Sequence, residues 1–306
     1  DFYININDQY LKKVLSLIPP VLISVGVNDL NKIIDRSMAS TLVEGSISAL
    51  NYGNRLNSLV LGIFITTLST VLFPLLSNEA SKNNMESFKK MLRYGFNVIV
   101  LITVPATVGM IVLAEPIVRV AFQRGAFDAK ATYLTTGALV FYSIGLVGMS
   151  LKPFINRVYY SMQDTKTPMI NSLIAVSINI VLNLILIRYM AHKGLALATS
   201  ISAIVSCALL LYHLRRKIGS LGIKSYITCS LKSISSAAIM GVVAYFMYYS
   251  LNKAIGNSNI GDFIALVTAA STGALLYFAL IYMMRVEEFQ WFVRLVKKRL
   301  FKKQGN

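Results

Sequence analysis

Apolar runs of about twenty residues or more recur along the whole chain, and few folds can accommodate them. They centre on residues 14–39, 48–76, 92–114, 133–160, 167–189, 194–214, 226–251 and 260–284. A helix needs roughly 20 apolar residues to cross the hydrocarbon core of a bilayer, whereas a barrel strand needs about ten with alternating polarity. Inside lipid every backbone N–H and C=O must be paired within the protein, which restricts such runs to helices. An all-α polytopic membrane protein of eight spans is therefore predicted. Composition agrees, with 55% hydrophobic and 14% charged residues and a mean hydropathy of +0.61, outside the range of soluble domains.

The net charge of +17 raises the possibility of a nucleic-acid partner, but the placement of the basic residues argues against it. With eight spans, 20 of the 30 Lys and Arg residues fall on one face, 6 on the other, and Lys32, Arg36, Arg55 and Lys152 are embedded. By the positive-inside rule both termini are expected in the cytoplasm. Cys207 and Cys229 lie in or beside apolar helices without CxxC spacing and read as packing residues. His192 and His213 lack metal-ligand spacing and read as interfacial. No clustered His and acid motif, nucleophile elbow or phosphate-binding glycine loop is visible, so the chain reads as a non-enzyme needing no cofactor.

Charge inside the first two spans carries the functional signal. Asp29, Lys32, Asp35, Arg36 and Arg55 lie in otherwise apolar segments, and each charge at a bilayer centre costs roughly 2.5–3.5 kcal/mol on insertion scales. Asn28, Asp29, Lys32, Asp35 and Arg36 share a sector of about 120° on a helical wheel, one stripe facing something wet. In the second span Asn51, Arg55, Ser58, Gly62 and Thr66 form another stripe, placing Arg55 toward the same space as Arg36. Four embedded cations against two embedded acids suit an anionic, phosphate-bearing ligand, since a guanidinium fork matches phosphate oxygens. The competing reading is an internal salt bridge, Asp29 with Lys32 or Asp35 with Arg55.

Lys152 shares a face with Gly145, Gly148 and Asn156, where small residues admit a close neighbour while the amine points inward; snorkelling to the interface is the alternative. Ser172, Asn179 and Asn183 share a face of the fifth span, and Leu195, Thr199, Ser202 and Ser206 a face of the sixth. With Asp35 these oxygens can serve as Na⁺ ligands or simply as interhelical hydrogen-bonding groups. From Arg285 onward, Phe289, Trp291, Phe292, Leu295 and Leu300 alternate with basic residues, as in an amphipathic helix lying on anionic lipid. The chain opens at Asp1 with a short polar lead and is expected to be part of something longer.

Four strings, Ile47–Leu56 (ISALNYGNRL), Thr70–Ser77 (TVLFPLLS), Phe122–Asp128 (FQRGAFD) and Gln163–Pro168 (QDTKTP), resemble the second half of the MurJ (MviN) lipid II flippases of the MOP exporter superfamily. The resemblance implies that residues 1–216 are the second six-helix lobe of a MATE-like transporter. It makes residues 217–284 two additional C-terminal helices forming a groove for the undecaprenyl tail, and 285–306 a basic cytoplasmic tail. An N-terminal lobe supplying further cavity arginines would be a missing partner. Arg55 looks like the cavity arginine that meets the lipid II diphosphate, joined as substrate-binding candidates by Arg36, Lys32, Lys152 and Ser58, the last standing where some members carry an acid. Asp35, Asn179, Asn183 and Thr199 look like a Na⁺ site, with an acid in some members where Asn183 stands. The expected role is movement of lipid II across a bacterial inner membrane by alternating access. Alternatives are export of another polyprenyl-linked oligosaccharide or a drug, or a non-transporting membrane scaffold.

Overall fold

The computed structural model describes residues 9–62, 66–82, 84–255 and 259–290. Among them all regular structure is helical: α1 (Gln9–Ala39), α2 (Ser46–Val60), α3 (Thr66–Ser81), α4 (Met85–Val112), α5 (Ala114–Phe122), α6 (Ala129–Ile144), α7 (Leu146–Ser161), α8 (Lys166–Met190), α9 (His192–Ile218), α10 (Ile223–Ile255) and α11 (Asn259–Met283). Six of these, α1, α4, α8, α9, α10 and α11, are singly long and apolar enough to cross a membrane. The chain is a multi-pass membrane protein.

The fourth predicted span is broken. Helices α6 and α7 meet at Gly145 with a bend of 48°, and only together are they long and apolar enough to count as a further candidate span. The carbonyls loosened there find a donor on another helix, since Ser200 Oγ on α9 donates to Phe141 O at 2.6 Å and lies 3.2 Å from Tyr142 O. A break at membrane depth is tolerable because protein groups re-satisfy the backbone. Gly145 permits the approach, for a Cβ there would stand 2.5 Å from the Ser200 Cα. The second predicted span, 48–76, divides into α2 and α3, with a π-type turn at 61–62 and residues 63–65 outside the described ones. The expected stripe from Asn51 to Thr66 therefore passes through residues outside the described ones.

Polar residues begin several helices: Asn84 accepts from the Ser87 N–H at 3.3 Å, Asp128 from Ala131 at 2.8 Å and Asp164 from Thr167 at 3.0 Å. Helices α8 and α9 form an antiparallel pair, with α1 along α8 and with α6 and α7 against α9. The main core lies where α4, α7, α9 and α10 meet, around Phe88, Leu92, Ile99, Phe154, Tyr159 and Leu210, all fully buried. Tyr159 keeps its hydroxyl satisfied there by donating to Leu210 O at 2.8 Å. Outward faces are apolar, with Leu22, Val25, Leu231, Val242, Phe246 and Leu275 exposed, as a lipid solvent requires.

The α10–α11 pair packs on α4. Tyr277 donates to Leu101 O at 2.9 Å and shares a 2.7 Å hydrogen bond with Ser233. Past α11 a helical turn at 287–290 carries Glu288 inward, where Asn97 Nδ2 donates to its Oε1 at 2.6 Å, and Phe289 stacks on Phe278 at 5.4 Å. The rest of the proposed amphipathic tail, including Trp291, Phe292, Leu295 and Leu300, lies outside the described residues. Both cysteines are free and buried. His192 departs from the interfacial expectation, being buried with its Nε2 3.0 Å from Leu134 O, whereas His213 is exposed.

Candidate functional site

A cavity of about 450 Å³ opens among α1, α2, α6, α7, α8 and α9. From α1 it takes Asn28, Asn31, Lys32, Asp35 and Arg36, from α2 Asn51 and Asn54, from α7 Lys152 and Asn156, and from α8 and α9 Asn179, Thr199 and Ser202. The wet stripe read on the first span is thus a cavity wall, except for Asp29, which does not line it. Close helix packing shapes the opposite wall: Gly145 and Gly148 bring α7 against α9, where a Cβ on Gly148 would stand 2.9 Å from Ile204 N. Lys152, one turn on from Gly148, lines the cavity.

Charge in this cavity is only partly compensated. Lys32 pairs with Asp29 at 2.8 Å, but both side chains are mostly exposed, 69% and 60%, where such a pair contributes little. Asp35 does not pair with Arg55; its Oδ1 accepts from Asn183 Nδ2 at 2.6 Å. Among the described residues Arg36 and Lys152 have no ion pair and no side-chain hydrogen bond. The arrangement offers an anion two free cations amid amide groups that can both donate and accept.

Asp35, Asn179, Asn183 and Thr199 come together as one polar group. The Asn179 amide is best satisfied with its nitrogen toward Asp35 Oδ1 at 3.2 Å and its oxygen accepting from the Thr199 N–H at 3.1 Å. In the other orientation its Oδ1 accepts from Asn183 at 2.9 Å and its nitrogen lies 3.4 Å from Thr199 Oγ1. Asn183 Oδ1 is buried without a hydrogen-bond partner. One carboxylate, two amide oxygens and a hydroxyl are the donor chemistry of a hard monovalent cation, and the orphaned Asn183 oxygen fits that use. Among the described residues no cluster of three His, Cys, Asp or Glu side chains offers a transition-metal site.

Arg55 and Ser58 are placed otherwise than expected. Arg55 lines a second cleft, with Tyr52, Leu56 and Leu59 of α2, Phe122 at the end of α5, and Arg124 and Phe127 of the loop after it. The reason is rotational: Asn51 and Asn54 take one side of α2 to the first cavity, and residues 52, 55, 56 and 59 lie on the adjoining side. Ser58 is exposed and lines neither space. Sequence reasoning passed over Asn31 and Asn54, although the spacings Asn28/Asn31 and Asn51/Asn54 mark amide pairs on one face of an apolar helix.

A family model described as lipid II flippase MurJ matches residues 2–259. A relative described as a probable lipid II flippase MurJ from Vibrio cholerae is 37% identical over 219 residues, 69% of this chain and 42% of that protein. Another so described, from Rickettsia prowazekii, is 32% identical over 290 residues, 92% of this chain and 55% of that protein. A solved structure described as lipid II flippase MurJ in an inward closed conformation superposes with a TM-score of 0.73 at 28% identity, over 93% of this chain and 56% of that one. The chain spans about half the length of the curated relatives it matches.

Proposed function

The chain belongs to the lipid II flippase MurJ family, and on that premise we propose that it forms the cation-lined part of a flippase that carries lipid II across a bacterial inner membrane. The observation that carries the reading is the pair Arg36 and Lys152, set without anionic partners in a cavity among membrane-spanning helices. A charge left unpaired at membrane depth is costly, and a ligand that arrives bearing diphosphate removes that cost. The surrounding asparagine amides suit the hydroxyls and amides of a sugar–peptide head group. Both termini lie on the cytoplasmic face in this reading, following the basic residues.

Transport requires no bond to be made or broken. The cationic groups neutralise the diphosphate, the head group stays shielded from hydrocarbon while its tail remains in lipid, and rocking against a second six-helix lobe exposes it on the other side. Asp35, Asn179, Asn183 and Thr199 are the residues that would hold Na⁺. Bound there, the ion supplies a positive charge that neutralises Asp35 and favours whichever state binds it more tightly.

The test is lipid II exposure at the outer face of cells depleted of their own flippase, expressing this chain alone or with a supplied first lobe. Exposure in at least one arm, lost on Arg36→Ala with membrane insertion unchanged, is the expected result. No exposure in either arm sinks the reading.

A further inference from the structure

Helix α4 changes character at Pro105. Every buried residue of α4 lies between Phe88 and Val104, whereas none from 105 to 112 is buried. A proline inside a helix has no N–H to offer the carbonyl four residues back, so Leu101 O loses its helical donor. Just before it, Thr103 Oγ1 donates to Ile99 O at 2.8 Å, a back-bond that itself favours bending. The helix therefore has an inner arm, 85–104, set in the main core, and an outer arm, 105–112, joined to it at a weak point.

Helices α10 and α11 lie across that weak point. The missing donor comes from Tyr277 of α11, whose hydroxyl donates to Leu101 O at 2.9 Å and takes the Ser233 hydroxyl of α10, 2.7 Å away, as its own donor. On the inner side Asn97 donates to Glu288 at 2.6 Å. On the outer side Arg119 of α5 meets Asp262 at 3.4 Å, and Leu113, which joins α4 to α5, is buried with Ala244, Tyr248, Ala265 and Ala269. A Cβ on Gly241 would stand 2.6 Å from Val108 Cγ1, so α10 also presses close on the outer arm. Helix α5 is shared: Ile117 borders this cluster and also the one in which Ala114 and Val118 pack with Leu56 of α2 and Leu139 of α6.

We propose that the α10–α11 pair is a splint across a proline weak point in α4, held there by the Tyr277 hydroxyl, and that it sets the angle of the outer arm and α5 and through them the seating of Leu56 on α2. A buried carbonyl without a donor is costly, so the angle at which Tyr277 reaches Leu101 O is favoured over any that breaks the contact. A disturbance of the pair is thereby passed through α4 and α5 to α2, a wall of the cavity.

The experiment is hydrogen–deuterium exchange, read by mass spectrometry, on the full chain in detergent micelles. Tyr277→Phe keeps the ring and removes the hydroxyl; exchange of amides 106–114 is expected to rise about tenfold, and that of 53–60 to rise with it, while 88–100 stays unchanged. Pro105→Ala returns an N–H that can reach Leu101 O, and in that background the added effect of Tyr277→Phe is expected to vanish. Ser233→Ala, which takes away the donor that orients the Tyr277 hydroxyl, is expected to raise 106–114 exchange by a smaller factor and keeps the test valid if Tyr277→Phe does not fold. An equal rise at 88–100 overturns the inference, since it marks general loosening of the core, and so does a Tyr277→Phe effect that persists in full alongside Pro105→Ala. No rise at 106–114 in either hydroxyl variant overturns it as well. A rise at 106–114 without one at 53–60 overturns the link to α2 and leaves the splint standing.

Discussion

The side-chain nitrogen of Asn183 stands 2.6 Å from Asp35 Oδ1, joining α8 to α1 through one hydrogen bond to a carboxylate. It is charge-assisted, unlike the Ser24–Ser172 hydroxyl pair that joins the same helices at 2.9 Å. Asn183→Ala leaves Asp35 short of a donor and is expected to destabilise the chain by about 1–3 kcal/mol. Asn183→Asp places a second carboxylate there and is expected to destabilise in K⁺ buffer but recover in Na⁺ buffer, as the added oxygen favours a cation. Thermal unfolding in the two salts measures both; a Na⁺-independent Asn183→Asp result counts against the cation site.

Lys152 offers a contrast between stability and function. Methionine matches its length without the charge, so Lys152→Met removes the cost of an unpaired amine and is expected to leave the melting temperature unchanged or higher. Lipid II movement by an active assembly carrying the same substitution is expected to fall at least tenfold. Normal movement would take Lys152 out of the site.

At Gly145 the spacing of α7 and α9 is the quantity at stake. A Cβ there meets Ser200 backbone at 2.5 Å, where no flexible side chain can yield, so Gly145→Ala is expected to cost about 1–3 kcal/mol. Gly26, with open space around its would-be Cβ, is the control, and Gly26→Ala should be neutral or slightly stabilising. Comparative thermal unfolding of the two variants decides the matter.

Asp164, in the turn between α7 and α8, ties the chain to α9. Burial pushes its carboxyl upward, but the hydrogen bonds from Lys217 at 2.5 Å and from the Thr167 N–H and hydroxyl outweigh it, holding the group below the usual carboxylate range. A depressed folded value means that the unfolded chain binds the proton more readily, so the stabilisation is complete above about pH 4 and is lost as pH falls below it. Asp164→Asn is expected to lower the melting temperature at pH 7 by a few degrees and to flatten its decline between pH 4 and pH 3. An unaltered acid slope would contradict this.

How much was legible in the sequence follows from the range of the forces involved. Run length alone located the six helices that are singly long and apolar enough to cross a membrane, because the lipid constraint acts on each segment separately. The break at Gly145 was not legible, since the hydroxyl that satisfies its carbonyls comes from Ser200, far along the chain. Helical spacing found the stripe of Asn28, Asp29, Lys32, Asp35 and Arg36, of which all but Asp29 line one cavity. The same spacing grouped Arg55 with Asn51, and there it failed: the two are about 40° apart on the wheel, and the aromatic turn at Phe122 and Phe127 claims the Arg55 side.

Helices α10 and α11 are fastened to the rest of the molecule near both of their ends. Arg119 of α5 meets Asp262 at 3.4 Å at one end, and Asn97 of α4 holds the buried Glu288 at the other, with Tyr277 bonded to Leu101 between them. A pair pinned at three heights has no free hinge against α4. It is an outrigger: a displacement of α4 would carry the pair with it and sweep the width of two helices through the surrounding lipid.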